Sequence, residues 1–339
     1  MTDMQHAKSS DASRPLLTVR NLSMEFVAGD RPIRAVSDVN LDLMAGQTLG
    51  IVGESGSGKT ALALTIARLI PPRLARLVSG AIELEGQDVA SMPERVFRTF
   101  RGRRIGMIFQ DPMTSLNPTL TVGEQIAEPV RLHLGMGRKA AWERAVDLIA
   151  RVGIRQPAER ARAFPHELSG GMRQRIMIAI ALACEPRLLI ADEPTTALDV
   201  TVQSQILDLL ADLSAETGAA VILITHDLGV AARMCDWVSV MYGGRLVETG
   251  QVDDIFYRAA MPYTWGLLGS IARLGSHHRL ESIPGVPPRM DAPEPGCRFA
   301  PRCVHARPVC SNEEPALTDR GPLHLARCWG TEPDGWISR

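Results

Sequence analysis

Apolar positions along the chain fall into two kinds of pattern, continuous runs and helical spacings. Leu49-Gly50-Ile51-Val52, Ile105-Gly106-Met107-Ile108-Phe109, Leu188-Leu189-Ile190-Ala191 and Val221-Ile222-Leu223-Ile224-Thr225 are short runs of the kind that form buried parallel strands. Each ends at a glycine or a polar group: Gly53, Gln110, Asp192-Glu193 and His226-Asp227. Ligands of open parallel sheets lie beyond the carboxyl ends of the strands, so these four stops are where chemistry is expected.

From Thr121 to about Leu134, and again from Arg138 to Val152, apolar residues recur at helical spacing, with Gly135 and Gly137 between the runs and Gly153 after them. These predict a helical lobe inserted at about residues 111–186. Further helices are expected from Ala61 to Ile70, stopping at Pro71-Pro72, from Met172 to Cys184, stopping before Pro186, and from Val200 to about Ala215. Leu16–Val19, Leu41–Leu43 and Ala81–Leu84 predict an N-terminal antiparallel β region with a turn near Gly29-Asp30, and Trp237–Tyr242 with Arg245–Thr249 predicts a hairpin about Gly243-Gly244. The fold class is therefore α/β, with residues 1–15 a polar, disordered lead-in.

The segment Gly53-Glu54-Ser55-Gly56-Ser57-Gly58-Lys59-Thr60 fits G-x-x-x-x-G-K-[ST], and it sits between a predicted strand and a predicted helix as a phosphate-binding loop requires. Gly53, Ser55, Gly56 and Gly58 let backbone N–H groups turn toward phosphate oxygens; Lys59 is suited to the β- and γ-phosphates and Thr60 to Mg²⁺. Asp192 is suited to hold Mg²⁺, usually through water, and Glu193 to polarise an attacking water. Gln110 and His226 close two further strands at the same edge of the sheet, although a lone histidine is more often structural. Ser169-Gly170-Gly171 opens a helix with two glycines, a second phosphate-binding arrangement, and Asp199 lies in the turn before the next helix. Phe26, upstream of the loop, offers a ring for adenine stacking or for ordinary packing.

With 339 residues the chain exceeds one ordinary domain, which predicts a large α/β unit and a smaller appendage. A net charge of −1 supplies no basic field for nucleic acid or an anionic membrane. No apolar run is long enough to span a bilayer and no signal core precedes Leu16, so a cytosolic location is expected. Composition changes toward the C-terminus, where ten of the 23 prolines follow Glu281, so the tail is expected to be loop-rich with little regular structure, separate from the core. It carries Cys297, Cys303, Cys310 and Cys328, whereas Cys184 and Cys235 are expected in apolar helices of the core. Disulfides, zinc (with His305 or His324 as substitute ligands) and an iron–sulfur cluster are the three readings of the four tail cysteines, and disulfides suit the cytosol poorly.

In this order the phosphate loop, Gln110, Leu168-Ser169-Gly170-Gly171, Asp192-Glu193, Asp199 and His226 resemble the ATP-binding subunits of ABC transporters, and the resemblance covers almost the whole chain. It implies a P-loop NTPase fold of the ABC ATPase type, with Gln110 in the Q-loop and as a Mg²⁺ contact, Ser169-Gly170-Gly171 as the signature, Asp192-Glu193 as Walker B, Asp199 in the D-loop and His226 as the switch histidine. Asp111-Pro112-Met113-Thr114-Ser115-Leu116-Asn117-Pro118 after Gln110, and Met172 after the signature, are similar to the subgroup that energises dipeptide and oligopeptide import. The expectation is an ATPase domain at 16–255 and an extension at 256–339, in which the resemblance implies a [4Fe–4S] cluster. Implied partners are two membrane permease subunits, a second related ATPase subunit (or a second copy of this chain) and an extracytoplasmic solute-binding protein, the chain lying peripherally at the cytoplasmic membrane face. Met113, Leu116 and Pro118, with the helix near Val122 to Val130, are expected to offer the permease an apolar surface. Another solute, such as nickel or glutathione, or a soluble ABC ATPase acting on nucleic acid or the ribosome, are the competing readings.

Overall fold

The computed structural model describes residues 14–27, 31–196, 198–270, 282–292, 295–332 and 335–337. Among these the chain forms twelve strands: β1 (Leu17–Phe26), β2 (Ile33–Leu43), β3 (Thr48–Val52), β4 (Ala75–Leu84), β5 (Gln87–Asp88), β6 (Ile105–Ile108), β7 (Leu188–Asp192), β8 (Ala220–Thr225), β9 (Trp237–Tyr242), β10 (Arg245–Gln251), β11 (Thr318–Gly321) and β12 (His324–Ala326). The expected lead-in lies mostly, and the Gly29-Asp30 turn lies wholly, outside the described residues.

The four apolar runs become β3, β6, β7 and β8, neighbours in one eight-stranded sheet of order β11-β12-β10-β9-β3-β8-β7-β6. From β9 to β6 all pairs are parallel. Every residue of β7 and β8 is buried, which is why these segments carry no alternation of polar and apolar side chains. Burying a Leu or Ile fully is worth about 1.5–3 kcal/mol, so this stack is the main source of cohesion. A second, antiparallel sheet of order β2-β1-β4-β5 forms from the N-terminal segment. Val19, Leu22 and Met24 of β1 share a buried cluster with Ile51 of β3 and Leu62 and Ile66 of the helix Lys59–Ile66.

Helices Val122–Leu134, Arg138–Arg151 and Gly170–Leu182 supply Ile126, Val130, Leu148, Ile149 and Ile176 to the other main core. Thr121 caps the first by accepting from the Glu124 N–H, and Gly135 ends it in the left-handed conformation at φ 67°. No helix among the described residues is long and apolar enough to cross a membrane.

Several expectations are corrected. The helix after the phosphate loop stops at Ile66 rather than Ile70, with Arg68 in the left-handed region at φ 49°. The helix expected from Met172 begins at Gly170, because Ser169 supplies the cap. Cys184 and Cys235 are buried but lie just beyond the helices Gly170–Leu182 and Leu228–Met234. The apolar face expected after Gln110 turns inward in part: Leu116, Val122, Ile126 and Val130 are core residues, whereas Met113, 61% exposed, and Pro118 stay at the surface. The tail is loop-rich, yet it is not detached from the core. Its β12 pairs antiparallel with β10, Glu248 opposite Ala326, and β11 extends the same sheet. Phe299 packs with Tyr242 and Tyr263 in the core beneath it.

His324 fastens β12 in place. Its Nε2 lies 2.8 Å from Oε1 of the fully buried Glu248, which also accepts the Ala260 N–H. Removing one partner of a buried polar pair costs about 1–3 kcal/mol. His324→Ala is therefore expected to lower the melting temperature by several degrees, while His324→Gln, which can still donate, recovers part of the loss; equal melting of His324→Ala and wild-type protein in calorimetry would show that the pair does not hold the strand.

Candidate active site

The phosphate loop leaves the end of β3 and runs into the helix Lys59–Ile66. Two of its glycines are required by their surroundings. Gly53 (φ 152°) and Gly58 (φ 106°) adopt conformations that side chains rarely reach, and a Cβ would strike the Met241 carbonyl oxygen at the first and that of Ala35 at the second. This curl carries Lys59, 4% exposed, to the inside, where its Nζ donates to the carbonyls of Gly53 (2.8 Å) and Glu54 (3.0 Å). Burial lowers the Lys59 pKa, while the charges of Glu193, Asp192 and Glu54 act in the opposite direction.

Asp192, the last residue of β7, is 3% exposed and accepts a hydrogen bond from Thr60 Oγ1 at 3.1 Å. Burial raises its pKa most; the neighbouring Glu193 charge adds to the rise, and Thr60 and Lys59 oppose it. Glu193 is held in the left-handed region at φ 45°, its N–H donating to the Ile224 carbonyl of β8 at 3.0 Å. That strained backbone turns the carboxylate away from the strand axis toward three side chains. Gln110 Nε2 donates to Oε2 at 3.1 Å, Thr196 Oγ1 donates to the same oxygen at 2.9 Å, and His226 Nδ1 lies 3.2 Å from Oε1. Four strand ends thus meet at one place, as the sequence pattern predicts. Thr196 was not expected; its one signal is its position three residues after Glu193, in the turn where its N–H also donates to the Glu193 carbonyl.

The remaining candidates have local partners. Ser169 Oγ accepts the Met172 N–H at 3.4 Å, and Gly170 and Gly171 face Leu198 and Val202. Asp199 accepts the Val202 N–H at 3.0 Å and so caps the helix Val200–Thr217; Ala197 lies outside the described residues. Phe26 ends β1 half-buried against the N-terminal cluster, and Gln110 reaches Glu193 rather than the Thr60–Asp192 pair. Ser55 and Gly56 lie at the loop's crest, with open space beside Gly56.

In the tail all of Cys297, Cys303, Cys310 and Cys328 are free thiols. Burial pushes Cys297 up to about 12 and raises Cys303, and the Cys297 N–H donates to the Cys310 carbonyl at 2.7 Å. Among the described residues, however, no three His, Cys, Asp or Glu side chains are gathered as a single metal ion would need. His324 is engaged by Glu248, and the His305 carbonyl accepts from Trp336 Nε1 at 2.9 Å.

Comparison with known proteins agrees with this geometry. Residues 36–196 match the family described as ABC transporter, and residues 247–310 match the family described as oligopeptide/dipeptide transporter, C-terminal region. A probable peptide ABC transporter ATP-binding protein of Sinorhizobium fredii is 51% identical over 93% of this chain and 94% of its own. The dipeptide transport ATP-binding protein DppD of Bacillus subtilis is 48% identical over 93% of this chain and 94% of its own. Among solved structures, a dimeric post-hydrolysis state of the ATP-binding cassette MJ0796 bound to ADP and Pi superposes with a TM-score of 0.63 at 28% identity, covering 70% of this chain and 98% of that one.

The raised Asp192 pKa sets the sign of a pH effect. Its contribution to ligand-free stability is fully present below the ordinary value of 3.8 and is lost as pH rises through the raised value. Asp192→Asn removes that loss, so the melting advantage of ligand-free Asp192→Asn over wild type is expected to be larger at pH 7 than below the ordinary carboxylate value of 3.8, while the variant gains less from Mg²⁺ and nucleotide. Identical melting of the two proteins in both conditions would show that the carboxylate is not penalised by burial.

Proposed function

The chain belongs to the ABC transporter ATP-binding family, and from that membership we propose that it is the ATP-hydrolysing subunit of an importer for dipeptides or oligopeptides. The observation that carries the reading is the Glu193 carboxylate, held by Gln110, Thr196 and His226 one residue from the Thr60–Asp192 pair. Glu193 orients the attacking water, His226 and Gln110 fix the carboxylate and meet the γ-phosphate, and Lys59 leaves the loop carbonyls to bind the β- and γ-phosphates. Thr60 and Asp192 suit Mg²⁺, a hard ion that takes one or two protein oxygens and completes its shell with water and phosphate. Bound there, the ion would neutralise charge on the phosphates.

Ser169-Gly170-Gly171 open the helix Gly170–Leu182, and on this reading they meet the nucleotide of a second ATPase subunit. The dimeric, ADP- and Pi-bound state described for the cassette MJ0796 supports this arrangement. Residues 16–255 form the nucleotide-binding domain and 256–339 the importer-type extension. The partners are two permease subunits, a related ATPase subunit and, across the membrane, a solute-binding protein; the chain docks peripherally on the cytoplasmic face. The second family match, over 247–310, and the peptide-transport names of the relatives support peptide as the cargo.

The four tail cysteines suit a [4Fe–4S] cluster better than zinc. Their spacing, C-x5-C-x6-C-x17-C, lacks the short C-x2-C knuckle that zinc usually prefers, and the importer-type match over 247–310 takes in three of the four. Its role here is structural, fixing a segment with little regular structure.

Two measurements test these assignments. Glu193→Gln is expected to retain ATP binding and lose turnover by about a hundredfold or more, whereas Lys59→Ala loses nucleotide binding itself; near-normal hydrolysis by Glu193→Gln removes Glu193 from its role. Protein purified anaerobically should be brown and contain about four irons and four labile sulfides per chain. Colourless protein with stoichiometric zinc and no sulfide overturns the cluster.

A further inference from the structure

The motif leaves its second position free, yet Glu54 is the most heavily held residue of the loop. Arg302, from the single turn Ala300–Arg302 in the C-terminal extension, meets its carboxylate in a two-pronged pair: Nη1 to Oε2 at 2.6 Å and Nη2 to Oε1 at 2.9 Å. The Arg302 side chain is 3% exposed, and its Nε donates to the Pro284 carbonyl at 2.8 Å. The Glu54 N–H donates to Tyr263 Oη at 2.8 Å, and the Glu54 carbonyl accepts from Lys59. Side chain, amide and carbonyl of one loop residue are therefore all occupied, two of them by residues beyond 255.

We propose that Arg302 is a positioning residue for the nucleotide site, through which the C-terminal extension holds the phosphate loop open for ligand. The kinetic part of this inference rests on the ATPase reading above. Three features favour positioning over simple stapling of the tail. The pair lands on the segment whose backbone N–H groups must face phosphate, not on the scaffold beneath it. A fork-to-carboxylate pair fixes orientation as well as distance, which a lysine at the same place does not. The anchor is also rigid: Tyr263 is fully buried and packs against Tyr242 and Phe299 at centroid separations of 4.4 and 5.4 Å, and Arg302 sits 5.8 Å above the Tyr242 ring. With Glu54 pinned from outside, exchanging the Lys59–carbonyl bonds for phosphate leaves the loop's path in place. Pre-organisation of this kind lowers the ordering cost of binding. Because Arg302 adjoins Cys303, the order of the cysteine segment bears on ATP affinity, contrary to the separation of tail and core that composition predicts.

The test uses the full-length chain carrying Arg302→Ala, Arg302→Lys, Glu54→Gln and the Glu54→Gln/Arg302→Ala double change. In ligand-free protein, amides 54–58 of Arg302→Ala are expected to exchange on the order of tenfold faster, with 221–225 and 324–326 unchanged. In steady-state hydrolysis its KM for ATP rises about tenfold with a smaller change in kcat, the mark of lost ground-state binding. Arg302→Lys falls between, and the double variant is no worse than the worse single, because the two groups act as one pair. Wild-type loop exchange in Arg302→Ala, or effects of Glu54→Gln and Arg302→Ala that multiply, overturn the proposal. Should Arg302→Ala also loosen 324–326, Glu54→Gln decides, since it keeps Arg302 but breaks the charged pair: faster loop exchange sustains the proposal and unchanged exchange ends it. A wild-type chain that hydrolyses no ATP, alone or with its permease, defeats the ATPase reading, and the clamp is then judged on loop exchange alone.

Discussion

Lys59 is a cation removed from water, and much of the molecule answers that cost. A buried ammonium needs acceptors, and the loop supplies two of its own carbonyls by curling through Gly53 and Gly58. The curl fits because the carbonyl oxygens of Met241 and Ala35 close against those glycines, so β9 and β2 shape the loop as much as its own residues do. Glu193, Asp192 and Glu54 provide the compensating field. The ligand-free site thus holds one buried cation against three acids, and a polyphosphate bound with Mg²⁺ would bring both an anion for Lys59 and a cation for the carboxylates. A ligand that interacts differently with two arrangements shifts the protein between them.

The parallel register turns this local chemistry into a shared site. Val52 pairs with Thr225 on one side and Val240 on the other, and Asp192 pairs with Ile224, so β3, β7, β8 and β9 finish nearly level. Whatever polar residue follows each strand is delivered to the same edge. Gln110, Asp192, Glu193 and His226, spread over more than a hundred residues, are brought to one edge in this way, and the left-handed turn at Glu193 completes their meeting. This also explains why the site was legible: a strand buried on both faces appears as an unbroken apolar run, and its end is marked by the first residue that cannot be buried.

The same logic shows why other parts were hidden. Thr196 follows no run, and its value depends on the left-handed turn at Glu193, a backbone state that residue types do not announce. Leu116, Val122, Ile126 and Val130 read equally well as a docking surface or as core, because periodicity gives the angular width of an apolar face but not what covers it; the helices Arg138–Arg151 and Gly170–Leu182 do. In the tail, prolines and cysteines overshadowed two strands of four and three residues, too short for alternation to register. The bond between Arg302 and Glu54 joins positions 248 apart, and nothing in either neighbourhood marks one as the other's partner.

On the proposed reading, charge accounts for a metal ion and a second subunit at this site. Asp192 and Glu193 stand at the end of β7 where the phosphates arrive, and two carboxylates beside a polyphosphate repel it unless a cation intervenes. Lys59 is a single charge already shared among loop carbonyls and three acids, so it cannot offset both carboxylates and the nucleotide. On the reading proposed above, Thr60 and Asp192 would hold Mg²⁺, which would take one carboxylate out of the repulsion and leave Glu193 free to hold water. Likewise, the helix that begins at Gly170 would offer its N-terminal N–H groups to the nucleotide of a facing subunit, so that closure of two subunits would depend on nucleotide charge and reopening would follow when that charge is divided by hydrolysis.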